Sequence, residues 1–128
     1  MVPTVYAITP TYARTTQRVD LTSLCHTLMH VPNITWIVVE DSVDKTQLVT
    51  DVLAKCKSVK SVHLATRSSA PLSKGRGIKQ RNAGLKWIRE YCGSSIIMMR
   101  KCRGVVYLMD DDNKYDLRLF QEVGPAYC

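Results

Sequence analysis

Three apolar, β-branched runs in this chain each end in a polar or acidic cluster. Residues 5–8 precede Thr9-Pro10-Thr11-Tyr12, residues 34–39 precede Glu40-Asp41-Ser42, and residues 104–109 precede Asp110-Asp111-Asp112-Asn113. Runs of this kind read as strands closed by loop chemistry. Between them lie segments of helical apolar period: 15–29 through Val19, Leu21, Leu24, Cys25 and Leu28; 46–56 through Leu48, Val49, Val52 and Leu53; and 78–91 through Ile78, Leu85, Trp87, Ile88 and Tyr91. A further short strand is expected at 61–64. Residues 66–77, rich in Ser, Pro and Gly, read as a loop, 93–103 as an irregular connection and 116–123 as a short final helix. Alternating strands and helices predict an α/β fold, a Rossmann-type, mainly parallel sheet with right-handed crossovers. Ligands of such sheets sit beyond the carboxyl ends of the strands, so the three clusters converge on one rim. No internal repeat or second domain is visible.

The acidic tip has its own chemistry. Three adjacent carboxylates at the mouth of a buried strand repel one another unless a cation gathers them. Hard oxygen ligands suit Mg²⁺ or Mn²⁺, ions that complete their shells with substrate phosphate oxygens. The plainer alternative is an acidic turn with a helix N-cap, where Asp and Asn are also favoured.

The chain has 128 residues and a formal net charge of +7. That charge would serve nucleic acid, an anionic membrane or a small anion, so its distribution matters more than its total. Residues 67–103 hold ten basic side chains against the single acid Glu90, which leaves the remainder slightly acidic. A basic stretch followed by an acidic triad suits an anion held between cations and a carboxylate-bound metal. A polynucleotide fits less well, because aromatics are not interleaved with the charges and Asp110 to Asp112 would repel a polyanion. Five cysteines show neither CxxC nor zinc-like spacing, and the odd number leaves at least one thiol free or intermolecular. The apolar run 96–99 is too short to span a bilayer, and no secretion signal is visible at the N-terminus. Asn33-Ile34-Thr35 is a glycosylation sequon, relevant only if the chain enters the secretory pathway.

Four segments taken in order, Thr9-Pro10-Thr11-Tyr12-Ala13-Arg14, Trp36-Ile37-Val38-Val39-Glu40-Asp41, Arg76-Gly77-Ile78-Lys79-Gln80-Arg81-Asn82 and Val105 to Asn113, closely resemble the β-1,3-glucuronosyltransferases of glycosyltransferase family 43. The resemblance runs from about Pro3 to Glu122. It implies a GT-A fold, with Mn²⁺ as cofactor and inverting transfer of glucuronic acid from UDP-glucuronate to a terminal galactose of glycosaminoglycan linkers or glycoprotein and glycolipid chains. By position, Pro10, Thr11 and Tyr12 resemble the segment beside uracil, with Tyr12 stacking on the base. Asp41 resembles the acceptor of uracil N3–H, although capping of the following helix explains it locally almost as well. Arg76 and Arg81 resemble the guanidinium pair on the donor. Asp111 is implied for the ribose hydroxyls, Asp112 for direct Mn²⁺ ligation, and Asp110 for support of donor and arginine.

The resemblance also implies that the family's general base, a glutamate, lies in a later half that binds the acceptor. On this reading residues 1–128 form one UDP-sugar-binding subdomain without the acceptor half, and Glu122 is not that base. The expected isolated chain holds UDP and Mn²⁺ and turns over little. Its rival is a non-catalytic nucleotide-binding or interaction module derived from the same fold. A half-domain would leave a face uncovered, which makes a homodimer an expectation to test. Residence in the Golgi lumen, with a membrane anchor in a longer precursor, follows from the resemblance alone.

Overall fold

The computed structural model describes residues 4–68, 77–92 and 104–111. In chain order these form β1 (Thr4–Thr11), α1 (Gln17–Leu28), β2 (Ile34–Glu40), α2 (Gln47–Lys55), β3 (Lys60–Ala65), α3 (Ile78–Cys92) and β4 (Gly104–Leu108). The sheet is wholly parallel, in the order β3-β2-β1-β4. The chain therefore steps outward from β1 to β3 and then crosses back to place β4 on the far side of β1. With right-handed crossovers, the reversal puts the helices of the two directions on opposite faces.

Packing follows that rule. On one face Val5 and Ala7 of β1 and Trp36 and Val38 of β2 pack with Leu21, Leu24 and Leu28 of α1 and Val49 and Val52 of α2. On the other face Tyr6, Ile8, Ile37 and Val39 pack with Ile88 and Cys92 of α3. Every residue of β2 is buried, the expected state of a central parallel strand covered on both sides. Trp36 is wholly buried and its indole Nε1–H donates to Thr9 Oγ1 at 2.9 Å, so the largest core side chain leaves no polar atom unmet.

β1 runs through Thr9-Pro10-Thr11 rather than stopping at Ile8, although proline normally disrupts a central strand. Val5 N–H donates to Asn33 and the Thr11 carbonyl accepts from Asp41, whereas the Ile8 carbonyl accepts from Met109. Alternation thus directs Pro10 toward β4, whose pairing with β1 has already ended at Ile8 and Leu108. The missing N–H falls where no ladder continues.

The buried stripe of α3 also differs from the expected one. Gln80, Gly84, Ile88 and Cys92 are buried at four-residue intervals, whereas Ile78 and Tyr91 are exposed. Tyr91 instead stacks on Trp87, with ring centroids 4.9 Å apart, and Lys60 Nζ lies 5.3 Å from its centroid. A β-carbon on Gly84 would stand 2.7 Å from Ile8 Cγ2, so glycine is what lets α3 approach β1 this closely. β4 is less covered than its apolar sequence predicts: Val106 and Leu108 are exposed at the sheet edge among the described residues. The expected connection at 93–103 and helix at 116–123 lie outside the described residues, as do Arg76, Asp112 and Asn113.

One disulfide, Cys25–Cys56, ties the end of α1 to the end of α2 across 31 residues. Neither end was identifiable as a partner from spacing. Cys92 is disulfide-bonded as well.

Candidate functional site

The reversal of strand order lies between β1 and β4, and beyond their carboxyl ends the chain forms a cleft of about 240 Å³. Such reversal points leave a crevice because adjacent connections depart to opposite faces. Pro10, Thr11 and Tyr12 enter it from β1, Asp41 from the end of β2, Gly77, Gln80 and Arg81 from the start of α3, and Asp110 and Asp111 from the end of β4. Seven of the nine residues expected to form the site thus meet in one place. Arg76 and Asp112 lie outside the described residues.

Buried polar side chains hold the β1–β4 wall. Gln17 Nε2–H donates to Thr11 Oγ1 at 3.0 Å, and the Thr11 hydroxyl in turn donates to Asp111 Oδ2 at 2.7 Å. Arg14 Nη2 lies 2.8 Å from that same carboxylate oxygen and 2.8 Å from Asp20 Oδ2. Its Nη1–H donates to the Tyr12 carbonyl at 3.2 Å, and its guanidinium carbon lies 4.6 Å from the Tyr12 ring centroid. Asp111 is only 6% exposed, a position a carboxylate holds when opposite charge and donors offset its desolvation. Burial works against the Arg14 charge, yet hydrogen bonds to Asp111 and Asp20 outweigh it and raise the Arg14 pKa above the usual arginine value. The Arg14 hydrogen bond likewise holds the Asp20 carboxyl below the ordinary range, aided by Thr16 and opposed by burial.

The opposite wall is built from α3. Gly77 adopts φ +87°, a backbone region that favours glycine, and the Arg81 guanidinium folds back over it so closely that a β-carbon would stand 2.8 Å from Nη1. Arg81 Nη2 meets Asp110 Oδ1 at 3.0 Å. Gln80, 1% exposed, donates from Nε2 to the Thr66 carbonyl at 2.7 Å and to Ser68 Oγ at 3.2 Å, which ties the exit of β3 to the first turn of α3.

Glu40 and Asp41, adjacent in sequence, separate in function. Glu40 is buried and accepts from Thr46 N–H at 2.8 Å and Thr46 Oγ1 at 2.6 Å, with His63 Nε2 on the same carboxylate. It anchors the start of α2. Asp41, at the cleft, accepts from Ser68 N–H at 2.7 Å and so fastens the β3 exit. The alternative of Asp41 as the cap of α2 is not realised; Thr46 occupies the N-cap position and Glu40 receives its N–H.

Sequence reasoning passed over Arg14, Gln17 and Gln80. The first two lie in and after the Thr9 to Arg14 motif, and a legible signal existed only for Arg14, as a cation six residues ahead of Asp20. Gln80 lies between the two arginines that drew attention, and only its burial in the fold reveals its role.

The cleft pairs described carboxylates with guanidiniums, and no group of three or more His, Cys, Asp or Glu side chains gathers among the described residues. No helix among them is long and apolar enough to cross a membrane.

Comparison with known proteins places this arrangement. The chain is 41% identical to a galactosylgalactosylxylosylprotein 3-beta-glucuronosyltransferase, sqv-8, of Caenorhabditis elegans, over 94% of this chain and 35% of that protein. It is 40% identical to galactosylgalactosylxylosylprotein 3-beta-glucuronosyltransferase 2 of Homo sapiens, over 94% of this chain and 37% of that protein. Against the human form 1 it is 38% identical with the same coverage. The chain therefore spans little more than a third of the length of these relatives. The model of glycosyltransferase family 43 matches residues 24–124, most of the sequence. With that match, these identities and a parallel α/β sheet flanked by helices, the chain belongs to glycosyltransferase family 43.

Proposed function

We propose that this chain binds the UDP moiety of a UDP-sugar, UDP-glucuronate, as the donor-binding part of a glucuronosyltransferase that acts on galactose-terminated glycans in the secretory pathway. The observation that carries the reading is the convergence of Tyr12, Asp41, Arg81, Asp110 and Asp111 on one cleft where the strand order reverses. Tyr12, one ring face covered by Arg14, serves as a rigid platform for uracil, and Asp41 accepts from its N3–H. The first turn of α3 directs backbone N–H groups and Arg81 at the diphosphate, where helix termini and guanidinium forks both favour anions. Asp111 receives a ribose hydroxyl, while Asp110 keeps Arg81 aimed at the donor.

A divalent metal fits the donor chemistry of the acidic tip, since carboxylate oxygens suit Mn²⁺. Asp110 and Asp111 are each engaged by an arginine, and the family resemblance assigns the ion to Asp112, which would hold it. When bound, such an ion neutralises charge on the departing diphosphate. No described residue is assigned as the general base. Binding and turnover are therefore separate questions, and a non-catalytic nucleotide-binding module is the second reading.

Calorimetric titration with UDP, with and without Mn²⁺, tests the proposal. Metal-dependent binding that is lost in Asp112→Ala is expected. Absence of UDP binding at any metal concentration would overturn it. Release of UDP from UDP-glucuronate in the presence of a galactose-terminated acceptor then decides whether the isolated chain is a catalyst; little or no release is expected.

A further inference from the structure

We infer that Asn33 is an N-glycosylation site, carried at the end of the sheet opposite the cleft. Asn33-Ile34-Thr35 is the only Asn-X-Ser/Thr triplet in the chain, and its middle residue is not proline. The triplet alone is weak, because such sequences arise by chance; two features of the structure add to it. The Cys25–Cys56 disulfide belongs to an oxidising compartment, the one in which the modification takes place. Asn33 is exposed at the turn that opens β2, with φ 54°, a left-handed conformation that asparagine tolerates better than most residues. A glycan there has solvent to occupy. The register pairs Val5 with Ile34 at this end and Thr11 with Glu40 at the other. At about 3.3 Å per residue, the acceptor stands roughly 20 Å along the strand from the cleft. The inference does not depend on what the cleft binds.

The reaction needs a polyprenyl-pyrophosphate-linked oligosaccharide as co-reactant. Asn33 Nδ2 forms a bond to the anomeric carbon, the bond from that carbon to the pyrophosphate oxygen breaks with its electron pair leaving on the lipid pyrophosphate, and the amide nitrogen gives up one proton. The transferring enzyme must also read the Thr35 hydroxyl. In the folded chain Thr35 is 4% exposed within β2, so the acceptor is legible only before that strand is buried, which orders glycosylation ahead of folding.

The test expresses the 128-residue chain behind a cleavable secretion signal in a eukaryotic host, followed by amidase removal of N-glycans in heavy-oxygen water and peptide mass spectrometry. Expected is a glycan-dependent gel shift and an isotope-marked Asp at position 33. Both should vanish in Asn33→Asp, which suits the same backbone region, and in Thr35→Val, which keeps the buried branched shape without the hydroxyl. Thr35→Ser should retain them. An unmodified Asn33 in secreted chain with the Cys25–Cys56 bond formed would overturn the inference, as would a shift that survives Thr35→Val.

Discussion

Arg14 Nη2 meets the Asp111 carboxylate at 2.8 Å while its guanidinium covers the Tyr12 ring, so one side chain fixes both the acidic residue beyond β4 and the aromatic residue that follows β1. Charge, backbone carbonyl and ring face are all met by the planar fork, a combination an ammonium cannot reproduce. Two substitutions separate these roles. Arg14→Ala removes the cation that faces the buried Asp111, whose carboxylate still accepts from the Thr11 hydroxyl, and is expected to destabilise the chain by about 2–3 kcal/mol. Arg14→Lys keeps a cation, so it should lose about 1 kcal/mol yet weaken UDP binding about tenfold, equivalent to 1.4 kcal/mol. Urea denaturation and calorimetry on the same samples check both. Wild-type UDP affinity in Arg14→Lys would remove Tyr12 from the proposed base platform.

The same guanidinium sets an acid dependence. Because Arg14 lowers the Asp20 carboxyl below its unfolded value, the pair contributes stability that is present above the unfolded carboxylate pKa of about 4 and is lost as pH falls through the folded one. Asp20→Asn should therefore cost about 0.5–1 kcal/mol at neutral pH, the range for a partly exposed pair. Its difference from wild type should shrink toward zero in acid. Urea midpoints measured down the acid range test this, and a difference that stays constant with pH would remove Asp20 as the origin.

Much of this architecture was legible because its signals are local. Residues 34–39 announce a buried strand by an unbroken β-branched run, and burial on both faces of β2 is why no polar alternation interrupts them. Strand ends were legible where loop chemistry follows, as at Glu40-Asp41. The failures share a cause: the deciding partner is remote in sequence. Pro10 marks a strand end by propensity, yet it sits in β1 because its neighbour on that side has stopped. Ile78 and Tyr91 fit a helical period, but Gln80 and Gly84 face the sheet, since close approach to Ile8 needs a residue without a side chain. Thr11, Gln17 and Asp111 span a hundred residues in one hydrogen-bonded chain, and no local pattern foretells that a threonine will sit between an amide and a carboxylate.

The Cys25–Cys56 bond closes a loop between two helices that pack on the same face of the sheet. Closing a loop of this length removes unfolded-state entropy worth about 3–4 kcal/mol in the chain-entropy account. The double replacement Cys25→Ser, Cys56→Ser should lower stability by that amount, or slightly more because both positions are buried. Denaturant unfolding with and without reductant checks it. Under reductant, which also opens the Cys92 bond, wild type and double variant should match, and a wild type equally stable with and without reductant would show that the Cys25–Cys56 bond is not formed in solution.

The contact between Gly84 and Ile8 offers the sharpest test of how α3 is seated. At an exposed helical position, Gly→Ala gains about 1 kcal/mol from helix propensity. Here the new β-carbon would lie 2.7 Å from Ile8 Cγ2 and 3.1 Å from Cδ1, and Ile8 is wholly buried with no room to retreat. Gly84→Ala should therefore destabilise by about 1–3 kcal/mol through overpacking. Ile8→Val leaves Cγ2 in place and should not rescue it, whereas Ile8→Ala removes the opposing atoms. Ile8→Ala alone should cost about 2–5 kcal/mol as a cavity. In the double variant the alanine methyl fills part of that cavity, so the loss should fall short of the sum by more than the ~0.5 kcal/mol within which independent sites add. Since α3 carries Gln80 and Arg81 into the cleft, Gly84→Ala should also weaken UDP binding, and the double variant should recover part of it. Strict additivity in stability would mean that the helix and strand are not in contact at this point, and the placement of Arg81 opposite Asp110 would then need another cause.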